Sequence, residues 1–355
     1  MVGTSKGGFL LVLKGGAGGR LLGPFLPGWD LYHLNWDPRT ETLLAAAAHP
    51  VHGALVARSG DWGSSWQQDT TGLEHGEGEG KVDRVWHIRP GADSQPGLIW
   101  AGVAEAGLFR SYDGGRTFRP VASLRQHPSR AAWTAGGGGL CLHSIVPDPR
   151  DPARLYVAIS AAGVFRTDDG GFRWRPLNRG VRADFLPDRF PEVGQCVHKL
   201  GIDAENPDVL YQQNHCGVYR SDDRGESWTE ITAGLPSSFG MPLGVHPRRG
   251  GLVFTVPLEA DVKRVPPGGA LAVWRSRDAG RSWQRCARGL PGRNVYVTVM
   301  REAMAVDGGD PCCVVFGTQS GHLFGSVDDG DSWKVLAKYL PPVRSVELGL
   351  RPRSG

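Results

Sequence analysis

The chain has 355 residues, with 40 Lys and Arg against 36 Asp and Glu and a formal net charge of +4. That near-balance, with both signs interspersed and no basic run carrying interleaved aromatics, gives no argument for a nucleic-acid partner. No stretch is long and apolar enough to span a bilayer, and the first eight residues lack the pattern of a secretory signal, so the expectation is no membrane and a cytoplasmic location.

Twelve Trp, 52 Gly and 26 Pro fit short strands and tight turns rather than helices. Six Cys (141, 196, 216, 286, 312 and 313) contain no Cys-x-x-Cys spacing, so a structural zinc motif is unsupported and reduced thiols are expected.

From the N-terminus, the segment from Val2 to Phe9 aligns with the one from Phe316 to Leu323, and residues 15–19 sit where a turn motif has decayed. The first intact motif is Ser59, Asp61, Gly63 and Trp66. The same Ser/Thr-x-Asp-x-Gly-x-x-aromatic pattern returns at Asp113, Asp169, Asp223, Asp278 and Asp328, every 50 to 56 residues. Each copy follows a short apolar run, which reads as strand, tight turn, strand: Asp bonds nearby amides, Gly takes φ > 0, and the aromatic opens the return strand. In the third repeat the strands are expected at 142–146, 155–159, 163–166 and 174–176. A period near fifty with four strands per unit predicts an all-β propeller. Six blades come from the motifs and a seventh from the termini, with residues 1–28 and 343–352 sharing it, so one propeller domain is expected over 1–355. Six blades is the alternative.

The motif resembles the Asp-box, or bacterial neuraminidase repeat, of sialidases and sortilin-type receptors, and longer stretches around His143 and Lys199 resemble bacterial glycosyl-hydrolase-like repeat proteins. The resemblance implies a propeller whose repeated turn is structural. It leaves open a sialidase-like exo-glycosidase and a non-catalytic scaffold that binds a peptide or protein partner. The sialidase Arg-Ile-Pro signature is absent. Ile88, Arg89 and Pro90 give only a permuted echo, and no Arg triad accompanies Tyr296 and Glu302, the nearest approach to a Tyr–Glu nucleophile pair.

The inner strands carry the chemistry. His33, His87, His143 and His198 recur at steps of 54, 56 and 55 residues, and counting in from later turns adds Met241, Glu302 and Glu347. Four imidazoles on one axis fit a transition metal (Zn, Fe, Cu, Mn or Ni) in an enzyme, a hydrolase with Glu302 and Glu347 managing protons around a metal-activated water before a redox enzyme such as an oxygenase. A polar channel lining without metal is the plainer alternative. Insertions near 121–140, 177–195, 259–269 and 290–295 point to one loop-rich face. There His52, Glu105, Arg130, Asp184, Glu192 and His215 are candidates for binding a small-molecule or carbohydrate substrate. Cys141 and Cys196 each lie two residues before a channel His, as soft ligands, a redox pair or buried small hydrophobes.

Overall fold

The computed structural model describes residues 1–13, 19–75 and 82–349. Among them the strands form seven antiparallel sheets, one per blade. The third blade runs Cys141–Asp148, Asp151–Ser160, Gly163–Thr167 and Arg175–Pro176, inner to outer, matching the expected strands closely. Blade 7 joins Val343–Val346 to Val2–Thr4, Gly7–Leu13 and Gly19–Phe25. There Val2 pairs with Val346 and Gly3 with Ser345, so the two ends of the chain close the ring and the six-blade alternative fails. Each inner strand remains an edge of its own sheet, and the closed ring turns those edges toward the channel. Residues 15–18, most of the decayed turn, and residues 350–352 of the shared blade lie outside the described residues.

The six repeated turns share one hydrogen-bond pattern. Each Ser or Thr hydroxyl donates to the Asp carboxylate at 2.6–2.8 Å. The same hydroxyl accepts from the Gly amide at 2.7–2.9 Å. The carboxylate then accepts the amide four residues beyond Asp at 2.8–2.9 Å. All six glycines have φ between 84° and 94°, a region costly for any residue with a Cβ.

A second repeat ties the blades together. Arg58, Arg110, Arg166, Arg220 and Arg275 are each the next-to-last residue of a third strand, just before the turn. Each Nη1 donates to a turn carbonyl of the next blade: Gly115, Gly170, Arg224, Ala279 and Asp329 respectively, at 2.6–3.4 Å. Blade 6 has Gly325 at this place, and its neighbour is blade 7, where the motif has decayed. Large apolar side chains such as Phe109, Phe165, Tyr211 and Phe254 fill the space within and between sheets and are fully buried. Burial of this kind stabilises by roughly 1.5–3 kcal/mol per side chain.

The inner strands are bulged. Pairing to the second strand slips between Leu31 and His33, Val85 and His87, Leu142 and Ser144, and Val197 and Lys199. The unpaired residues are Tyr32, Trp86, His143 and His198. A bulge re-aims side chains near the slip, here at the channel wall.

The cross-blade tie predicts that Arg166→Met lowers stability by about 1–3 kcal/mol, because the Arg224 carbonyl loses a charged donor. Arg175→Met, which removes half-exposed pairs with Glu226 and Asp168, should fall within about 1 kcal/mol of wild type. Denaturant midpoints of the two variants check this difference.

Candidate functional site

The bulges divide the four histidines into two registers. His33 and His87 are paired residues just after the slip, where blades 3 and 4 carry Ser144 and Lys199. His143 and His198 are themselves the bulged residues, matching Tyr32 and Trp86. Two contacts agree: the Ile88 amide donates to His33 Nδ1 at 3.4 Å, and the Leu200 amide donates to Ser144 Oγ at 3.3 Å, from equivalent positions one blade on. The near-constant spacing conceals one extra residue before blade 3, so the expected four-imidazole ring does not form.

His143 and His198 instead cross to the next blade. His143 Nε2 donates to the Val197 carbonyl at 2.8 Å, and His198 Nδ1 donates to the Gly240 carbonyl at 2.6 Å. A carbonyl only accepts, so each contact fixes the tautomer. Burial, then the Arg301 guanidinium, pushes His143 well below the ordinary imidazole value and His198 down to about 3. Both rings are neutral across the physiological range.

On the axis, Glu302 gathers the other pair. Its Oε2 lies 3.5 Å from His33 Nε2, 3.6 Å from His87 Nδ1 and 2.5 Å from Lys199 Nζ. The His33 and His87 rings stand 4.1 Å apart. His33, His87 and Glu302 present donor atoms close enough to share a metal ion. The carboxylate oxygen facing them, however, already carries the Lys199 ammonium. Burial pushes the Glu302 carboxyl up, but Lys199 and then His87 pull harder, leaving it well below the usual carboxylate range. Burial lowers both imidazoles, His33 more strongly than His87. The cluster is therefore an ionised Glu–Lys pair flanked by two neutral imidazoles.

Beyond this cluster the axis widens into a cavity of about 430 Å³, lined by inner-strand residues of six blades. Its polar wall includes His87, Arg89, Ser144, Lys199 and Glu347. Burial raises the Glu347 carboxyl above its ordinary value, against the opposing pull of Arg89 and Lys199. Two carboxyls of one axis are thus tuned in opposite directions. The cavity is lined by residues near the inner-strand ends, such as Pro149 and Ala204, rather than by the long connections of the expected loop-rich face.

The six substrate-binding candidates do not converge. Asp184 pairs with Arg182 and with Arg189, the latter at 2.8 Å. Arg130 donates to the Glu105 carbonyl at 3.3 Å, stacks on Trp133 and lines a separate rim cavity with His75 and Arg125. His52 stacks on His49 beside Trp29. Glu192 contributes its carbonyl to Asn178 and is exposed. His215 alone reaches the inner strands, packing on His198 and Phe239. Tyr296 is largely exposed, unlike buried Glu302, so those two do not form a nucleophile pair. Cys141 and Cys196 are free thiols; Cys141 Sγ accepts from Arg301 Nη1 at 3.2 Å. Sequence reasoning missed Lys199 and Arg89, although Lys199 occupies the His33 position four residues before the Asp that ends its inner strand.

No protein-family model matches the chain. It is 26% identical over 216 residues to an oligoxyloglucan-reducing end-specific xyloglucanase of Emericella nidulans, covering 52% of this chain and 25% of that protein. The chain thus matches about a quarter of the length of its curated relatives. Among solved structures it resembles an ancestral GH74 enzyme, with a TM-score of 0.62, 19% identity, and coverage of 92% of this chain and 37% of the other. It also resembles YCF48 from Cyanidioschyzon merolae, with a TM-score of 0.58, 12% identity, and coverage of 92% and 87%. The structural likenesses establish the propeller fold that the strand order already describes.

Lys199→Met leaves the Glu302 carboxylate buried without its cation and is expected to cost about 3–5 kcal/mol. Because Glu302 is depressed in the folded state, its contribution is full above the unfolded value of about 4.3 and is lost as pH falls through the folded value. Removing Lys199 raises the folded value, so the acid-unfolding midpoint of Lys199→Met moves to higher pH. Adding Glu302→Gln to the same variant should recover part of the loss; thermal and acid melts of the three proteins check this.

Proposed function

We propose that this propeller is a glycosidase-like protein that binds a carbohydrate in the axial cavity. The observation that carries the reading is the opposite tuning of Glu302 and Glu347. Paired titratable groups whose surroundings push them apart are the usual basis of acid–base assignment. The curated relatives, named as xyloglucanases, point to the same substrate class.

In this reading Glu347, raised by burial and lining the cavity, donates a proton to the leaving glycosidic oxygen. Neutral His87, also lining the cavity, takes the proton of the attacking water. Glu302 is a positioning residue: its carboxylate faces His87 Nδ1, orients that ring and stabilises the imidazolium formed in the transition state. The 3.6 Å contact is longer than a hydrogen bond, and catalytic hydrogen bonds often tighten only once substrate is bound. Lys199 keeps Glu302 ionised, and Arg89, in the cavity wall, supplies donors for sugar hydroxyls. Two carboxyls flanking a scissile bond are the common arrangement of glycoside hydrolysis; here an imidazole backed by a carboxylate fills the second role. Glu302 therefore needs no metal in this scheme.

Reducing-end release from xyloglucan oligosaccharides is the direct assay. Glu347→Gln and His87→Asn should each lower kcat by about 10²-fold or more while the fold survives. Activity needs Glu347 protonated and His87 neutral. The rate therefore falls on the alkaline side as Glu347, raised from its ordinary value, ionises. It falls on the acid side as His87, lowered from its own, takes up a proton. Binding that persists without turnover and is unchanged by Glu347→Gln would instead favour a non-catalytic binding propeller. Neither binding nor turnover across neutral and acidic oligosaccharides would overturn the reading.

A further inference from the structure

A second cluster lies at the start of the inner strand of blade 4, and none of its residues lines the axial cavity. Cys196, His198 and His215 each present a donor atom, and these atoms all lie within 4.8 Å of one another. One blade builds the whole group. Cys196 and His198 flank Val197 at the head of the strand Val197–Ile202, where the bulge turns His198 aside. His215 sits in the tight connection between the strands Leu210–Asn214 and Gly217–Ser221, and its amide donates to the Cys196 carbonyl at 2.9 Å. That backbone bond holds the third donor beside the first two.

We propose that Cys196, His198 and His215 form a binding site for a thiophilic divalent transition metal, best matched by Zn²⁺. Three independent features carry it. Cys196 Sγ and His198 Nε2 lie 3.6 Å apart. Tetrahedral Zn²⁺ with bonds of about 2.3 Å to sulfur and 2.0 Å to nitrogen holds its donors about 3.5 Å apart. The Gly240 carbonyl accepts from His198 Nδ1 at 2.6 Å, so Nε2 carries the lone pair and faces the thiol. A backbone acceptor behind a ligand imidazole is the usual way in which the metal-facing nitrogen is fixed. Asp261 Oδ2 stands 3.7 Å from His215 Nε2, a carboxylate on the outer side of the third donor.

The surroundings also set the character of the site. Cys196 and His198 are buried, whereas the His215 side chain is 27% exposed. Three protein donors with one side toward solvent leave a fourth position for water, as in sites that do chemistry rather than hold a fold. Ser160 Oγ lies 3.2 Å from Cys196 Sγ and would stabilise a thiolate. Burial raises the Cys196 thiol, and the metal must displace its proton on binding. This site does not rest on the glycosidase reading and involves none of its acid–base residues.

The test is optical titration of the untagged full chain with Co²⁺, followed by Zn²⁺ displacement and elemental analysis after gel filtration. The expected result is a near-ultraviolet sulfur-to-cobalt charge-transfer band with strong visible ligand-field bands. Zn²⁺ should abolish both and remain at about one ion per chain. Cys196→Ser should lose the charge-transfer band, and His215→Ala should weaken retention at least tenfold. Cys141→Ser, which alters the neighbouring blade's thiol, should leave both unchanged. Circular dichroism and melting of each variant separate loss of the site from loss of the fold. Absence of the charge-transfer band in folded wild type, or its survival in folded Cys196→Ser, would overturn the proposal.

Discussion

The structure depends on how one blade is fastened to the next. Within a blade, ladder hydrogen bonds suffice; between blades, side chains must fix the angle seven times for the ring to close. Two sets of polar side chains do this at different radii. Toward the outside, five arginines reach forward to turn carbonyls of the following blade. Toward the axis, His143 and His198 donate forward to inner-strand carbonyls, while His33 and Ser144 accept amides from the following strand. Buried polar groups of this kind are costly if left unmade, so they specify one blade angle as well as stabilise it.

That double use of histidine explains why four evenly spaced imidazoles in the sequence form two separate groups in three dimensions. An imidazole bonded to a carbonyl through one nitrogen still offers its other nitrogen. At His198 that nitrogen meets a thiol and a second imidazole; at His87 the imidazole meets Glu302. In the Glu302 cluster a lysine from blade 4 supplies the positive charge that a metal would otherwise bring. The carboxylate stays ionised because of it, whereas burial raises the Glu347 carboxyl farther along the axis.

The sequence was most informative where the physics is local. Ser/Thr, Asp, Gly and aromatic residues of each turn interact within eight positions, so the motif alone located six blades and their third and fourth strands. The seventh was legible because the N-terminal segment repeats a pattern found near residues 316–323, leaving the C-terminal segment to supply the inner strand. The arginine before five of the turns was equally visible as a recurring letter, but its partner lies 54 to 60 residues away, and only the ring geometry pairs them. The histidine register was misread for a specific reason. A bulge adds a residue without altering the apolar pattern, so equal spacing counted Tyr32 and His143 as different places when they are the same. The distance from the closing aspartate, four residues from His33 to Asp37 but five from His143 to Asp148, was the signal that separates them. The scatter of the rim candidates was not legible, since each depends on which guanidinium or ring its loop meets.

The central claim is that one axis holds an ionised Glu302 and a protonatable Glu347 beside a sugar-sized cavity. The most direct measurement is a pH titration of the chain labelled with ¹³C at the glutamate carboxyls, run with and without a xyloglucan oligosaccharide and assigned with Glu302→Gln and Glu347→Gln. The account predicts that Glu302 remains ionised well below the usual carboxylate range, that Glu347 titrates above it, and that the oligosaccharide moves the Glu347 signal. Ordinary titration of both groups, with neither signal responding to the sugar, would contradict it.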